Sequence, residues 1–277
     1  MRQIKLIATD LDGTLLTPEM GLSSENRDAL ERCIRAGITV VVATGRSLSS
    51  IPEQVRQIHG LEWLVCANGA KIYNNATEEQ LFSDCLSREA LAAVRDIIED
   101  NTVMKEVFYN GVPYTSALAF YHLRDFGVPE HFADYVRATR TPVEDIAAFT
   151  NEHIDEIENI NFIHSGGEDK IPLLHKLAEH RELYTLTTSL PFNFEIGGAG
   201  VDKAKAVDFI AKKLGIQPGE VMCIGDNNND VAMIEYAGVG VAVEDAVSAA
   251  KEAADFITTS NDRDGVAFAI GIYCDNL

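Results

Sequence analysis

The sequence has no apolar run approaching the ~18 residues that a membrane-spanning helix needs. A helical membrane protein is therefore not expected. The N-terminus shows no basic region followed by an apolar stretch and a small-residue cleavage site. The expectation is a soluble, unexported, cytoplasmic protein without a membrane partner. Basic residues are few: 23 Lys and Arg stand against 43 Asp and Glu, for a formal net charge of −20. A field of that sign opposes polyanions at long range, so nucleic acid is set aside as a partner. Cysteine is scarce. Cys33, Cys66, Cys85, Cys223 and Cys274 form an odd set with no Cys-x-x-Cys pair, which reads as reduced thiols rather than a disulfide framework. The seven histidines show neither His-Glu-x-x-His nor His-x3-His spacing, and no zinc site is proposed.

What is present is an ordinary globular composition, 46% hydrophobic and 24% charged, over 277 residues. At ~150 residues per domain, that length allows two domains, or one with a large insertion. Continuous apolar runs at 4–9, 38–43 and 63–67 alternate with amphipathic stretches, the pattern of strands buried on both faces between helices. Near residue 82 the rhythm changes. Asn110-Gly111 sits between alternating apolar residues, a strong hairpin signal, and short strands mix with helices at about 143–149 and 169–179. From Lys203 the first rhythm returns. The sequence thus predicts an α/β fold with a doubly wound, Rossmann-like parallel core (1–83 and 191–277) and an inserted α+β cap (84–190).

Asp10 and Asp12 close the first strand in DLDGT, where Gly13 and Thr14 allow a tight turn. In isolation such a segment reads as an Asx-type turn. A second acidic cluster, GDNNND at 225–230, again follows an apolar strand and brings Asp226 and Asp230 to the same sheet edge, where open α/β folds bind ligands. An EF-hand is rejected, because its sixth and twelfth loop positions require Gly and Glu, whereas the chain has Val231 and Ala237. Like charges 4 Å apart repel by about 4 kcal/mol at an effective dielectric of 20, so converging carboxylates call for a cation. The available ligands are hard oxygens, which suits Mg2+. Thr44-Gly45-Arg46 follows the second strand and offers a hydroxyl, an open backbone N–H and a helix start to an anion. Lys203 follows a glycine-rich stretch and opens the helix that re-enters the core.

Taken in order, DLDGT, ATGR, Lys203 and GDNNND resemble the four motifs of the haloacid dehalogenase-like hydrolase superfamily. NGA (68–70), FEIGGAGVDKAKAV and SNDRDGVA extend the resemblance to Cof-type sugar phosphatases with a type II cap. The resemblance implies a phosphatase of small phosphorylated metabolites working through an aspartyl-phosphate. Asp10 would be the nucleophile and Asp12 the general acid and base. Thr44 and Lys203 would hold the phosphoryl group, with Gly45, Arg46 and Asn229 also on the phosphate side. Mg2+ would bind Asp10, the Asp12 backbone carbonyl and Asp226, with Asp230 behind them. Two departures stand out: Ala204 where the family usually has Gly, and Glu244-Asp245 where it commonly has Gly-Asn. Extra negative charge there could alter substrate preference. A phosphotransferase or phosphomutase would use the same intermediate, and a non-catalytic sensor could keep the pocket, although the acid Asp12 argues against a sensor. Tyr109, Tyr114, Tyr121 and His122 are candidate cap contacts to substrate, with packing inside the cap as their blander reading. Oligomeric state is not legible.

Overall fold

The computed structural model describes residues 3–164 and 170–274. Its strands, in chain order, are β1 (Leu6–Thr9), β2 (Thr39–Ala43), β3 (Trp63–Cys66), β4 (Lys71–Asn74), β5 (Gln80–Ser83), β6 (Met104–Tyr109), β7 (Val112–Ser116), β8 (Thr141–Val143), β9 (Ile157–Ile163), β10 (Tyr184–Thr187), β11 (Asn193–Gly198), β12 (Val221–Gly225), β13 (Val239–Ala242) and β14 (Phe256–Ile257). The chain divides into two compact units. The first comprises Met1–Gly45, Ile51–Phe82 and Asp202–Leu277, and the second Arg46–Ser50 and Ser83–Val201.

The sheet of the first unit runs in the order β14-β13-β12-β1-β2-β3-β4-β5. From β14 to β3 neighbouring strands are parallel, and β4 then runs antiparallel to β3. β1 lies between β12 and β2, and its residues LIAT are fully buried, as expected for a strand covered on both faces. Helix 203–214 is well delimited: the Asp202 side chain accepts the Lys205 N–H at its start, and Gly215 in the left-handed region (φ 71°) ends it. Because β1, β2 and β12 are parallel neighbours, the residues following them (Asp10, Thr44 and Asp226) leave the sheet at its carboxyl edge.

The second unit is an α+β layer with strand order β10-β11-β9-β6-β7-β8. Its pairings are antiparallel except β7 with β8. One face carries Val107, Ile160, Phe162, Phe194 and Ile196, packed against Leu91, Ile97, Ile146, Leu173 and Leu177 of the surrounding helices. The expected hairpin forms. Asn110 (φ 49°) and Gly111 (φ 71°) both adopt positive φ, the requirement of a tight type I′ turn. Opposite it β9 carries a bulge at Glu158, whose Oε1 accepts the Gly111 N–H at 2.8 Å.

The expected boundary at 190/191 moves. Residues 193–198 pair with β9 and β10 as a central strand of the second sheet, so the chain returns to the first unit only at Asp202. The helix expected at about 169–179 runs Lys170–Ala178, with residue 169 outside the described residues. Among the described residues, no helix is long and apolar enough to cross a membrane.

Candidate active site

β1 ends in Asp10, whose N–H donates to Ile224 O of β12 at 2.9 Å, tying the two acidic strand ends together. The backbone then turns sharply through Asp12 (φ −78°, ψ 118°) and Gly13 (φ 81°). Glycine is required at that turn. A Cβ on Gly13 would lie 2.6 Å from Asp226 Oδ2, so the bare backbone lets the second acidic loop approach the first. The next residue, Thr14, donates its hydroxyl to Asp226 Oδ1 at 2.8 Å.

Lys203 is the centre of the cluster. Its fully buried ammonium lies 2.5 Å from Asp10 Oδ1 and 2.6 Å from Asp230 Oδ1. Asp230 Oδ2 in turn accepts the backbone N–H groups of Asp226 and Asn227, each at 2.9 Å. Both Asp230 oxygens are thus occupied, and its geometry suits orienting Lys203 and the 225–230 loop. Carboxylate oxygens of Asp10, Asp226 and Asp230 lie within 4.8 Å of one another. Half-buried Asp12 stands close enough for its charge to act on both Asp10 and Asp226.

The electrostatics follow from burial and charge count. Burial pushes the Asp10 carboxyl well above the usual carboxylate range, Lys203 opposes this, and Asp230, Asp226 and Asp12 reinforce it. Asp226 is pushed up to about 7, by burial first and then by the Asp230 charge, with the Thr14 hydrogen bond working the other way. Burial lowers the Lys203 ammonium, but Asp10 and Asp230 outweigh it and hold it above the ordinary lysine value. One buried ammonium faces three carboxylates, and the donors are hard oxygens. That environment fits a small divalent cation.

Beside the cluster, Thr44 continues β2 by donating its N–H to Val65 O at 2.9 Å and accepting the Asn68 N–H on its carbonyl at 3.1 Å. Asn68, at φ 55°, approaches Gly45 so closely that a Cβ there would lie 3.0 Å from Asn68 Oδ1. The same oxygen accepts the Asn229 amide N–H at 3.0 Å, so the loops after β2, β3 and β12 meet through Asn68. The buried Asn229 Oδ1 has no hydrogen-bond partner.

Residues 7–270, which include all of these side chains, match the haloacid dehalogenase-like hydrolase family. The chain belongs to that family. It is a phosphoric monoester hydrolase of the haloacid dehalogenase-like type. It is 35% identical over 274 residues to YxeH of Bacillus subtilis, covering 96% of this chain and 97% of that one. It is 33% identical over 270 residues to the 5-amino-6-(5-phospho-D-ribitylamino)uracil phosphatase YcsE of the same organism, covering 96% and 94%. A solved haloacid dehalogenase-like hydrolase from B. subtilis superposes with a TM-score of 0.81 at 30% identity, over 96% of this chain and 99% of that one.

In this hydrolase the first unit brings together Asp10, Asp12, Thr44, Gly45, Lys203, Asp226, Asn229 and Asp230. Arg46 groups with the second unit, donating to Ser50 O at 2.7 Å with its guanidinium 4.9 Å from the Tyr135 ring centroid. Thr14 and Asn68 were not singled out from sequence, although each lies inside a quoted motif, DLDGT or NGA. Ala204 follows Lys203 in its helix and packs against the core of the first unit. Glu244 forms an ion pair with Arg263, so its charge is locally balanced, while Asp245 is exposed. Of the candidate cap contacts, Tyr109 and Tyr114 belong to an aromatic cluster with Phe149 and His153 on the helix-covered face, whereas Tyr121 is 72% exposed and His122 is largely exposed.

Proposed function

We propose that the chain is a Mg2+-dependent phosphatase of small phosphorylated metabolites, sugar or polyol phosphates foremost, acting through an aspartyl-phosphate on Asp10. The observation that carries this reading is the ammonium of Lys203 held between Asp10 and Asp230, with Asp226 and Asp12 beside them. Mg2+ would be held by the Asp10 and Asp226 carboxylates and the Asp12 backbone carbonyl; when bound, it would supply positive charge that keeps the Asp10 and Asp226 carboxylates ionised and offsets phosphoryl charge.

In the first step an Asp10 carboxylate oxygen forms a bond to phosphorus as the ester P–O bond breaks, and Asp12 gives its proton to the departing alkoxide. In the second, Asp12 takes a proton from water, whose oxygen attacks phosphorus, and the Asp10 carboxylate leaves. The Thr44 hydroxyl and Gly45 N–H would hold phosphoryl oxygens, and Lys203 would balance charge on them and on Asp10. Asn229 would add a contact from the phosphate side. Asp230 holds Lys203 in position.

The name of the relative YcsE describes a substrate whose phosphate is carried on a ribityl chain, which supports a hydroxylated metabolite here. A net charge of −20 supports a small ligand over nucleic acid. The cytoplasmic reading rests on five cysteines that are all free thiols. The test is release of inorganic phosphate from a panel of metabolite phosphates. Release should stop in Asp10→Asn and on addition of EDTA, and turnover that survives either change would overturn the assignment.

A further inference from the structure

Within the first unit, helix Gly265–Tyr273 packs beside helix Ser24–Arg35. Asn26, fully buried on one stripe of helix 24–35 with Ala29, Leu30 and Cys33, ties the two together. Its Oδ1 accepts the Ala267 N–H at 2.9 Å, one of the N–H groups that a helix start leaves without an intrahelical partner. Seven residues, two turns or about 10.5 Å, separate Asn26 from Cys33, and the same seven separate Ala267 from Cys274. Helices packed side by side in one direction keep that register, so the contact made by Asn26 and Ala267 recurs two turns later between Cys33 and Cys274. The two cysteines do meet there, joined by a side-chain hydrogen bond.

The pair is asymmetric. Cys33 is fully buried, whereas Cys274, which caps its helix by donating its N–H to Ile270 O at 2.8 Å, is only half-buried. The hydrogen bond with Cys274, burial and the Cys274 charge all push the Cys33 thiol well above its ordinary value. A thiol that holds its proton donates to the neighbouring sulfur and so favours the thiolate at Cys274, the form that reacts with oxidants. An accessible sulfur with a resolving thiol beside it is the arrangement of redox-responsive cysteines. The other three differ. Cys66 and Cys223 are fully buried, and half-buried Cys85 meets the Ser83 hydroxyl at 3.4 Å.

We propose that Cys33 and Cys274 form a peroxide-oxidisable dithiol, closing to a reversible disulfide that fastens helix 265–273 to helix 24–35. The Cys274 thiolate attacks a peroxide oxygen and the O–O bond breaks; the departing hydroxide takes up a proton, and Cys274 becomes a sulfenic acid. The Cys33 sulfur then attacks the Cys274 sulfur, the S–O bond breaks, and the hydroxyl leaves as water with the Cys33 proton. Two thiols are oxidised and one hydrogen peroxide is reduced to two waters. In a reducing compartment such a bridge is transient, which suits a sensor rather than a scaffold. The bridge also secures a support of the acidic cluster. Asn26 Nδ2 donates to Leu15 O at 3.3 Å, and Asn261 Nδ2, just ahead of helix 265–273, donates to Leu16 O at 2.7 Å, so both segments hold the backbone that follows the 12–14 turn. This chemistry does not depend on the phosphatase reading, and its test needs no turnover.

The experiment treats reduced, full-length protein with a small excess of hydrogen peroxide, blocks the remaining thiols in denaturant and maps the peptides by mass spectrometry. Wild type should lose two of its five thiols, yield a peptide pair linked through Cys33 and Cys274, and recover both thiols with dithiothreitol. Cys33→Ala should leave Cys274 as a sulfenic acid that dimedone labels, and Cys274→Ser should keep Cys33 reduced. The wild-type map decides the matter even if a variant folds poorly. Wild type that keeps all five thiols under peroxide, or a linked pair that does not contain both residues, overturns the assignment. Oxidation confined to Cys85, in wild type or in Cys33→Ala, overturns it as well.

Discussion

Lys203 Nζ lies 2.5 Å from Asp10 Oδ1, although 193 positions separate the two residues in sequence. The same ammonium reaches Asp230 Oδ1 at 2.6 Å, and with Asp226 nearby two of the three acidic charges are left for another cation to balance. A lysine in this position offsets part of the cluster's charge in the free protein and faces the group that would attack phosphorus.

Lys203→Met should therefore damage stability and turnover together. Removing one partner of a buried charged pair typically costs about 3–5 kcal/mol, because the other charge remains buried. Losing a positioned donor in an active site typically lowers kcat by about 10²–10³-fold. Thermal melts and phosphate-release rates check both effects. A variant that melts lower but turns over normally would leave Lys203 a purely structural residue.

Lys105 is a second buried lysine, on the helix-covered side of the second sheet, and the charges of Asp100 and Asp145 offset its burial only in part. It is 2% exposed and donates to the Asp100 carbonyl, and burial pushes its ammonium down to about 8 from an ordinary 10.5. Below pH 8 both folded and unfolded chains hold the proton, and the fold bears the full desolvation cost. Between about pH 8 and 10.5 the folded chain has released a proton that the unfolded chain keeps, so this group makes stability rise with pH across that window. Lys105→Met should raise stability at pH 7 by about 1–3 kcal/mol and flatten the rise. Melting curves between pH 7 and 10 test it, and a less stable Met variant at pH 7 would contradict the argument.

Much of the architecture and of the acidic cluster was legible because apolar strands ending in acids are local signals. Asp10 and Asp226 each follow a buried run, and parallel neighbours deliver their ends to one edge whatever the intervening chain does. The Asn110-Gly111 turn was legible for the same local reason. A buried polar row in the second sheet was not. Thr115, Glu106, Asn161 and Glu195 come from four strands, and only strand order and register make them neighbours. Without that register, Tyr109 and Tyr114 looked like candidates for substrate contact, yet they pack around Phe149. Arg46 shows a related limit. Its guanidinium meets Ser50 O and the Tyr135 ring, contacts that local sequence does not reveal.

Thr14 offers a way to separate metal affinity from chemistry. Its fully buried hydroxyl donates to Asp226 Oδ1, and this bond opposes the burial that pushes Asp226 up to about 7. Thr14→Val keeps the shape but withdraws the donor, so the carboxylate becomes harder to ionise and freer to rotate away from a cation. Hydrogen bonds to charged groups contribute about 1.5–3 kcal/mol, and since part of that loss is regained from water, the Mg2+ concentration for half-maximal activity should rise about tenfold. At saturating Mg2+, kcat should stay within a few-fold of wild type, because Asp10, Asp12, Thr44 and Lys203 are untouched. A Mg2+ titration of phosphate release, run beside thermal melts, distinguishes the possibilities. A lower melting temperature with unchanged half-saturation would make Thr14 a packing residue and would remove Asp226 from the proposed ligand set.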